Sequence, residues 1–104
     1  MVKDNGKIKI IPFAQVQYIE AADDYVKIFT GDGNFLKKKT MQFFEDSLPQ
    51  QEFIRIHRSY IVNAQLITRI TPYEKDSHLA LLTNGAQLPV SKAGYTKLKT
   101  ILGI

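Results

Sequence analysis

The segment 53–63, Phe-Ile-Arg-Ile-His-Arg-Ser-Tyr-Ile-Val-Asn, carries three cationic or titratable side chains and two hydroxyls within a predicted strand and its exit. Arg55 and His57 share one face by strand alternation. Arg58 and Ser59 fall at the bend that follows, where side chains project from a rigid frame. A guanidinium there can form two hydrogen bonds to a guanine edge, and a hydroxyl can bind a phosphate.

The same segment also suggests a nucleophilic pair, because His57 and Ser59 lie two residues apart. A hydroxyl nucleophile needs an exposed elbow, and the chain has no Gly-x-Ser-x-Gly turn and no P-loop. We therefore do not expect an enzyme. For His57 and Asn63 a structural role is favoured over a functional one, since both can satisfy backbone groups at an irregular strand exit.

Glu20, Asp23 and Asp24 form the one acidic cluster, which together with a histidine could be considered as a metal or acid–base site. Asp23-Asp24 stands where the chain must turn between two strands, a position that favours Asp because its side chain bonds nearby amides. A solvated turn is the favoured interpretation. With no Cys and no His-Glu-x-x-His motif, we expect neither metal nor cofactor.

Length and composition allow one domain, because 104 residues and 11.8 kDa hold one modest core. The absence of Cys excludes a disulfide scaffold. Residues 1–52 have seven basic and eight acidic side chains, whereas residues 53–104 have seven basic and two acidic ones, so the net charge of +4 arises in the second half. No apolar run is long enough to span a membrane, and we expect a soluble, cytoplasmic protein.

The elements that must position these residues are short strands and two helices. Strands are predicted over Lys7–Ile11, Val16–Ala21, Tyr25–Thr30, Phe35–Lys39, Phe53–His57, Leu66–Thr71, Ser77–Thr83 and Ala86–Val90. Helices are predicted over Met41–Leu48 after Thr40 and over Lys92–Leu102 after Ser91. Gly31–Asn34 and a two-residue type I′ turn at Asn84-Gly85 close two hairpins. The fold class is mainly β, with antiparallel sheets covered by helices, and the path of residues 60–65 stays open between strand and helical turn.

Five blocks follow one another in a fixed order over nearly the whole chain: Ile-Pro-Phe-Ala-Gln-Val-Gln-Tyr-Ile-Glu-Ala (11–21), Asp-Tyr-Val-Lys-Ile (24–28), Lys-Thr-Met (39–41), the segment 53–63 and Leu-Pro-Val-Ser (88–91). In these blocks the sequence resembles the LytTR-type DNA-binding domain of bacterial two-component response regulators. The resemblance implies an elongated set of small antiparallel sheets with two short helices.

The resemblance also implies sequence-specific binding of double-stranded DNA with direct repeats, through loops that enter major grooves. The three loops correspond to Asp23–Tyr25, Arg58–Ser59 and Ser91–Lys92. Candidate base contacts are Asp24, Tyr25, Arg58 and Ser91, and candidate phosphate contacts are Lys27, Arg55, Ser59, Lys75 and Lys92.

Residues 1–104 are accordingly expected to form a single domain, the C-terminal output domain of a longer response regulator that carries a receiver domain. The isolated domain should be mainly monomeric and dimerise on DNA or through the receiver, with no membrane partner. The alternative is a non-enzymatic, β-rich interaction module that binds a partner peptide at a sheet edge.

Overall fold

Ten strands and two α-helices follow one another in the computed structural model, which describes residues 2–4 and 7–103. The strands are β1 (Val2–Asp4), β2 (Lys7–Lys9), β3 (Val16–Ala22), β4 (Tyr25–Thr30), β5 (Gly33–Lys37), β6 (Phe53–His57), β7 (Tyr60–Asn63), β8 (Ile67–Pro72), β9 (His78–Leu82) and β10 (Gln87–Val90). The helices are α1 (Met41–Ser47) and α2 (Lys92–Leu102), and short 3-10 turns cover Phe13–Gln15 and Ala64–Leu66. The open path after Tyr60 is thus a strand followed by a 3-10 turn.

The strands form three antiparallel sheets, in agreement with the predicted mainly β fold class. The largest has the order β5-β4-β3-β7-β6, a second has the order β10-β9-β8, and β1 pairs with β2. The described chain is elongated, with extents of 45 × 24 × 22 Å. Among the described residues, neither helix is long and apolar enough to cross a membrane.

Two hydrophobic cores lie on opposite faces of the five-stranded sheet. One face buries Val26 and Ile28 of β4, and it is covered by Met41 of α1 and by Leu48, which directly follows the helix. The other face buries Ile54, Ile56 and Val62 against the three-stranded sheet and Leu98 of α2. On this side His78 of β9 stacks on Tyr95 of α2, with ring centroids 3.8 Å apart. The five-stranded sheet is therefore packed on both faces.

Both helices begin directly after the residues predicted to cap them. The Thr40 hydroxyl accepts a hydrogen bond from the amide of Phe43 (3.0 Å), and the Ser91 hydroxyl accepts one from Gly94 (3.0 Å). At its other end α2 stops at Gly103, which has a φ of 73° in the left-handed region.

Two predicted turns differ from the structure. β5 begins at Gly33 rather than Phe35, because Thr30 pairs with Gly33 and its hydroxyl binds the Gly33 carbonyl (3.1 Å), which leaves a turn of two residues. The prediction of a type I′ turn at Asn84-Gly85 was also wrong.

The Asn84-Gly85 segment forms a three-residue connection with a bulge. The Gly85 amide donates to the Leu82 carbonyl (3.0 Å), so Thr83 and Asn84 occupy the centre of the turn. The positive φ falls on Gly85 (90°), while the Asn84 side chain accepts from the Ala86 amide (2.9 Å). That side-chain bond and the Gly85 conformation are typical of a type I turn followed by a bulge.

Gly94 lets α2 lie directly on β6. A Cβ at this position would overlap the carbonyl group and the Cα of Ile56. Glycine is a poor helix former, but at this position its missing side chain allows helix and strand to make contact.

We expect Gly94→Ala to lower the free energy of unfolding by about 1–3 kcal/mol, as overpacked cores do, although alanine is the better helix former. Gly31→Ala is the matched control, since Gly31 has open space around its Cα and no positive φ. The control should stay within about 0.5 kcal/mol of the wild type in urea unfolding. Equal stability of the two variants would contradict the close contact.

Candidate nucleic-acid interface

Two predicted loops meet at one end of the five-stranded sheet. The turn Asp23–Asp24 joins β3 to β4, and the turn Arg58–Ser59 joins β6 to β7. They lie side by side because β3 pairs with both β4 and β7, and the Ala21 amide donates to the Ser59 carbonyl (2.9 Å).

The third predicted loop reaches the same end through β6. The amide and the hydroxyl of Ser91 both donate to the Ile56 carbonyl, at 2.8 and 3.2 Å. The β8–β9 connection, residues 73–77, lies at this end too, because His78 pairs with both Val90 and Pro72. We call residues 23–25, 58–59, 73–77 and 91–92 the loop end.

A β-bulge at Ile56 shapes this end of the sheet. Arg55 pairs with Ile61 but His57 pairs with Tyr60, so Ile56 is the extra residue in β6. Residues paired across two strands point to the same face of the sheet, and the bulge shifts the alternation of β6 by one residue. Arg55 therefore lies on the face that α1 covers, and His57 lies on the opposite face. The prediction that Arg55 and His57 share a face was wrong.

The Arg58–Ser59 turn presents an exposed Arg58 side chain on a backbone held by three hydrogen bonds. The Arg58 carbonyl accepts from Nη2 of Arg55 (2.8 Å), and the Ser59 amide donates to Nδ1 of His57 (3.1 Å). The third bond is the one from Ala21 to Ser59 described above. These bonds hold the backbone of Arg58 in place, while its guanidinium is exposed to solvent.

His57 and Asn63 both satisfy backbone groups, as predicted. The Asn63 side chain is buried, donates to the Val16 carbonyl (3.3 Å) and accepts from the Gln65 amide (3.1 Å). The pKa of His57 lies below its usual 6.5, first because burial disfavours the charged ring and then because Arg58 repels it. A neutral ring can accept the Ser59 amide at Nδ1, and a protonated ring cannot.

The Asp23–Asp24 turn is confirmed, with both side chains exposed. Asp23 has a φ of 57°, a conformation that Asp tolerates better than most residues. Tyr25 directly follows and is 44% exposed. Within the described part of the chain, no three His, Asp or Glu side chains come close enough together to hold a metal ion.

Two lysines that the sequence analysis did not single out lie beside this turn. Lys38 and Lys39 line a cavity of about 410 Å³ together with Asp23, Asp24 and Tyr25. They are brought there because β5 runs antiparallel to β4, with Lys37 opposite Val26. The run Lys37-Lys38-Lys39 was a visible signal, but its position depends on this pairing.

The remaining candidate DNA contacts differ in whether their polar groups already have partners within the protein. Lys75 and Lys92 are exposed at the loop end. The hydroxyl of Ser91 is engaged twice, as donor to Ile56 and as helix cap. Lys27 lies two residues into β4, opposite Glu20, with its Nζ 5.9 Å from the centre of the Phe29 ring. Arg55 lies beneath the loop end, where Nη1 binds Glu45 (2.9 Å).

Glu20 of β3 lies opposite Tyr60 of β7 just below the loop end. Burial, followed by the charge of Glu20 and a hydrogen bond to it, raises the pKa of Tyr60. Burial and then the charges of Glu20 and Tyr60 raise the pKa of Tyr18 in the same way. Both phenols therefore stay neutral at physiological pH.

The exposed charges at this end have both signs. The cations are Arg58, Lys75, Lys92 and the adjacent Lys38 and Lys39, and the carboxylates are Asp23, Asp24, Glu74 and Asp76. The cations exceed the carboxylates by only one charge, so this surface is not a continuous basic patch. It is better suited to contact a polyanion through individual side chains.

Comparison with known proteins gives a consistent result. The family model of the LytTr DNA-binding domain matches residues 6–103. The sensory transduction protein LytT of Bacillus subtilis is 31% identical over 97 residues, which cover 93% of this chain and 40% of that protein. The transcriptional regulatory protein LytR of Staphylococcus aureus is 25% identical over 103 residues, or 99% of this chain and 42% of that protein.

A solved structure of a LytTr DNA-binding domain from Bacillus cereus has the same fold, with a TM-score of 0.88 and 33% sequence identity. The match covers 99% of this chain and 94% of that one. The chain thus spans about two fifths of the curated relatives but nearly all of the solved domain.

The lowered pKa of His57 predicts a pH-dependent stability. As the pH falls through about 6.5, the unfolded chain takes up a proton before the folded ring does, so the free energy of unfolding should decrease. His57→Asn keeps an acceptor near the Ser59 amide but does not titrate, so urea unfolding between pH 7.5 and 5.5 should show a shallower decrease for this variant. Equal pH dependence of the two proteins would contradict the role given to His57.

Proposed function

Because this chain is a member of the LytTR family of DNA-binding domains, we propose that it binds specific double-stranded DNA sequences and thereby regulates transcription. The observation that carries this proposal is the loop end, where hydrogen bonds between strands bring together four connections, three of which carry an exposed cation. Because the family is defined by DNA binding, we propose a binding role without catalysis.

Arg58 is the principal base contact in this proposal. Its guanidinium has the fork geometry that forms two hydrogen bonds with a guanine edge in the major groove. The three hydrogen bonds on the turn keep its Cα in place before DNA arrives. Asp24 and Tyr25 on the neighbouring turn, and Ser91 at the start of α2, are proposed to face bases to either side.

The proposed phosphate contacts are Lys27, Ser59, Lys75 and Lys92. Lys38 and Lys39 are included as well, because they lie beside the Asp23–Asp24 turn. Cations near the acidic turn offset the repulsion between Asp23 or Asp24 and the phosphates. Contacts of this kind set the register of the protein on the duplex and give binding its salt dependence.

For the longer protein, we propose that residues 1–104 are the output domain of a response regulator with a receiver domain, acting in the cytoplasm. The names of the similar proteins, a sensory transduction protein and a transcriptional regulatory protein, support a role in signalling. We further propose that the isolated domain is mainly monomeric and pairs on direct repeats or through the receiver, which raises occupancy by effective concentration.

The alternative, an interaction module that binds a peptide at a sheet edge, is not favoured, because the family model and the solved relative are both DNA-binding domains. Salt separates the two functions. Binding to DNA weakens steeply as the salt concentration rises, whereas pairing along a strand edge depends on it little.

The direct test is selection of bound duplexes from a random pool at near-physiological salt, followed by binding curves at several salt concentrations. We expect a repeated short site that binds about 10³-fold tighter than random DNA. Failure to enrich any site, together with binding that does not respond to salt, would overturn the proposal.

Arg58→Ala and Lys75→Ala should change DNA binding in different ways. Loss of Arg58 should cost about 1–3 kcal/mol on the selected duplex and relax specificity at one base position. Loss of Lys75 should weaken binding to all duplexes alike and reduce the salt slope by about one. Fluorescence anisotropy with selected and random duplexes measures both, and equal losses on the two duplexes for Arg58→Ala would exclude Arg58 as a base contact.

A further inference from the structure

Arg55 links helix α1 to the turn that carries Arg58. Its Nη1 binds Oε1 of Glu45 at 2.9 Å, and its Nη2 binds the carbonyl oxygen of Arg58 at 2.8 Å. We call this chain of contacts, from Glu45 through Arg55 to the Arg58 carbonyl, the Glu45–Arg55 bridge.

The surroundings of the guanidinium hold it in one orientation. The Arg55 side chain is 24% exposed, and its Nε is buried. Oε2 of Glu45 lies 3.8 Å from Nζ of Lys97 in α2, so Glu45 contacts cations from β6 and from α2. Because a planar guanidinium has fixed donor directions, two simultaneous partners define its position.

A group held in this way is poorly suited to bind a phosphate. To reach DNA, Arg55 would have to leave both Glu45 and the Arg58 carbonyl, and the partly buried carboxylate of Glu45 would lose its closest cation. Removing the bond to Arg58 would also free the backbone of the turn on the side that faces α1.

We propose that Arg55 is a positioning residue that fixes Arg58 for base recognition, with Glu45 as its partner, and that it does not contact phosphate. The inference rests on the proposed function. It assigns part of the sequence specificity to Glu45, a residue of the helix that covers one face of the sheet, and so makes the geometry of base recognition depend on helix packing.

The roles of positioning residue and phosphate contact predict opposite effects of Glu45→Gln. If Arg55 bound phosphate, removing the charge of Glu45 would free a cation, and all duplexes would bind more tightly. If Arg55 positions Arg58, the same change loosens the turn and weakens binding to the selected duplex alone.

Arg55→Lys separates the two roles a second time. Lysine keeps the positive charge, so a phosphate contact and its salt slope would largely persist. A single ammonium lacks the fork that joins Glu45 to the Arg58 carbonyl, so the positioning would be lost.

The experiment measures binding of the wild type, Arg55→Lys and Glu45→Gln to the selected duplex and to random DNA, at several salt concentrations. Arg69→Lys is the matched control, the same exchange at an exposed position on β8. Thermal melting of each variant establishes that the domain is folded at the binding temperature.

We expect Arg55→Lys to lower the ratio of selected to random affinity about tenfold, within the range that loss of one bidentate base contact produces. Glu45→Gln should lower the same ratio severalfold, and the salt slopes of both variants should match that of the wild type. Arg69→Lys should leave the ratio unchanged.

An unchanged ratio in both variants, or tighter binding of Glu45→Gln to all duplexes, would overturn the inference while leaving the proposed function intact. A wild type that does not distinguish the two duplexes would overturn the proposed function and the inference with it.

Discussion

One extra residue in β6 determines how the parts of this domain meet. The bulge takes Ile56 out of register with β7, and the Ile56 carbonyl instead accepts two hydrogen bonds from Ser91. That junction joins the five-stranded sheet to the end of β10 and to the start of α2. It also requires Gly94, because α2 lies directly on the backbone of Ile56.

The same bulge distributes the charged residues of β6. Arg55 remains on the α1 side, where Glu45 is available, and His57 falls on the other side, where it accepts the Ser59 amide. The Arg58–Ser59 turn that follows is held from both faces of the sheet and from β3. Its backbone is therefore ordered before binding, which reduces the entropy that a flexible loop would lose on contact with DNA.

The sequence was sufficient to predict those elements whose limits are determined by neighbouring residues. Thr40 and Ser91 were recognised as helix caps, β4 and β6 have their predicted limits, and the Asp23–Asp24 turn was expected from Asp chemistry. The bulge was not predictable, because the regular alternation in Phe53–His57 conceals it and its partner Ser91 lies 35 residues away. The contact of Arg55 with Glu45 was not predictable either, because it depends on how α1 packs beside β6. The position of Lys38 and Lys39 beside the Asp23–Asp24 turn, by contrast, follows from the predicted hairpin of β4 and β5. The family resemblance supplied the overall arrangement, which periodicity alone did not.

The central claim is that DNA is bound at the loop end, by backbone segments that are already ordered. Amide chemical-shift mapping of the isotopically labelled domain during titration with its selected duplex tests this claim most directly. The account predicts large shifts at residues 23–25, 58–59, 73–77 and 91–92, and small shifts at the opposite end, around Gly31–Asp32 and Thr83–Ala86. Shifts concentrated at that opposite end, or along the outer edges of β5 and β8, would contradict it.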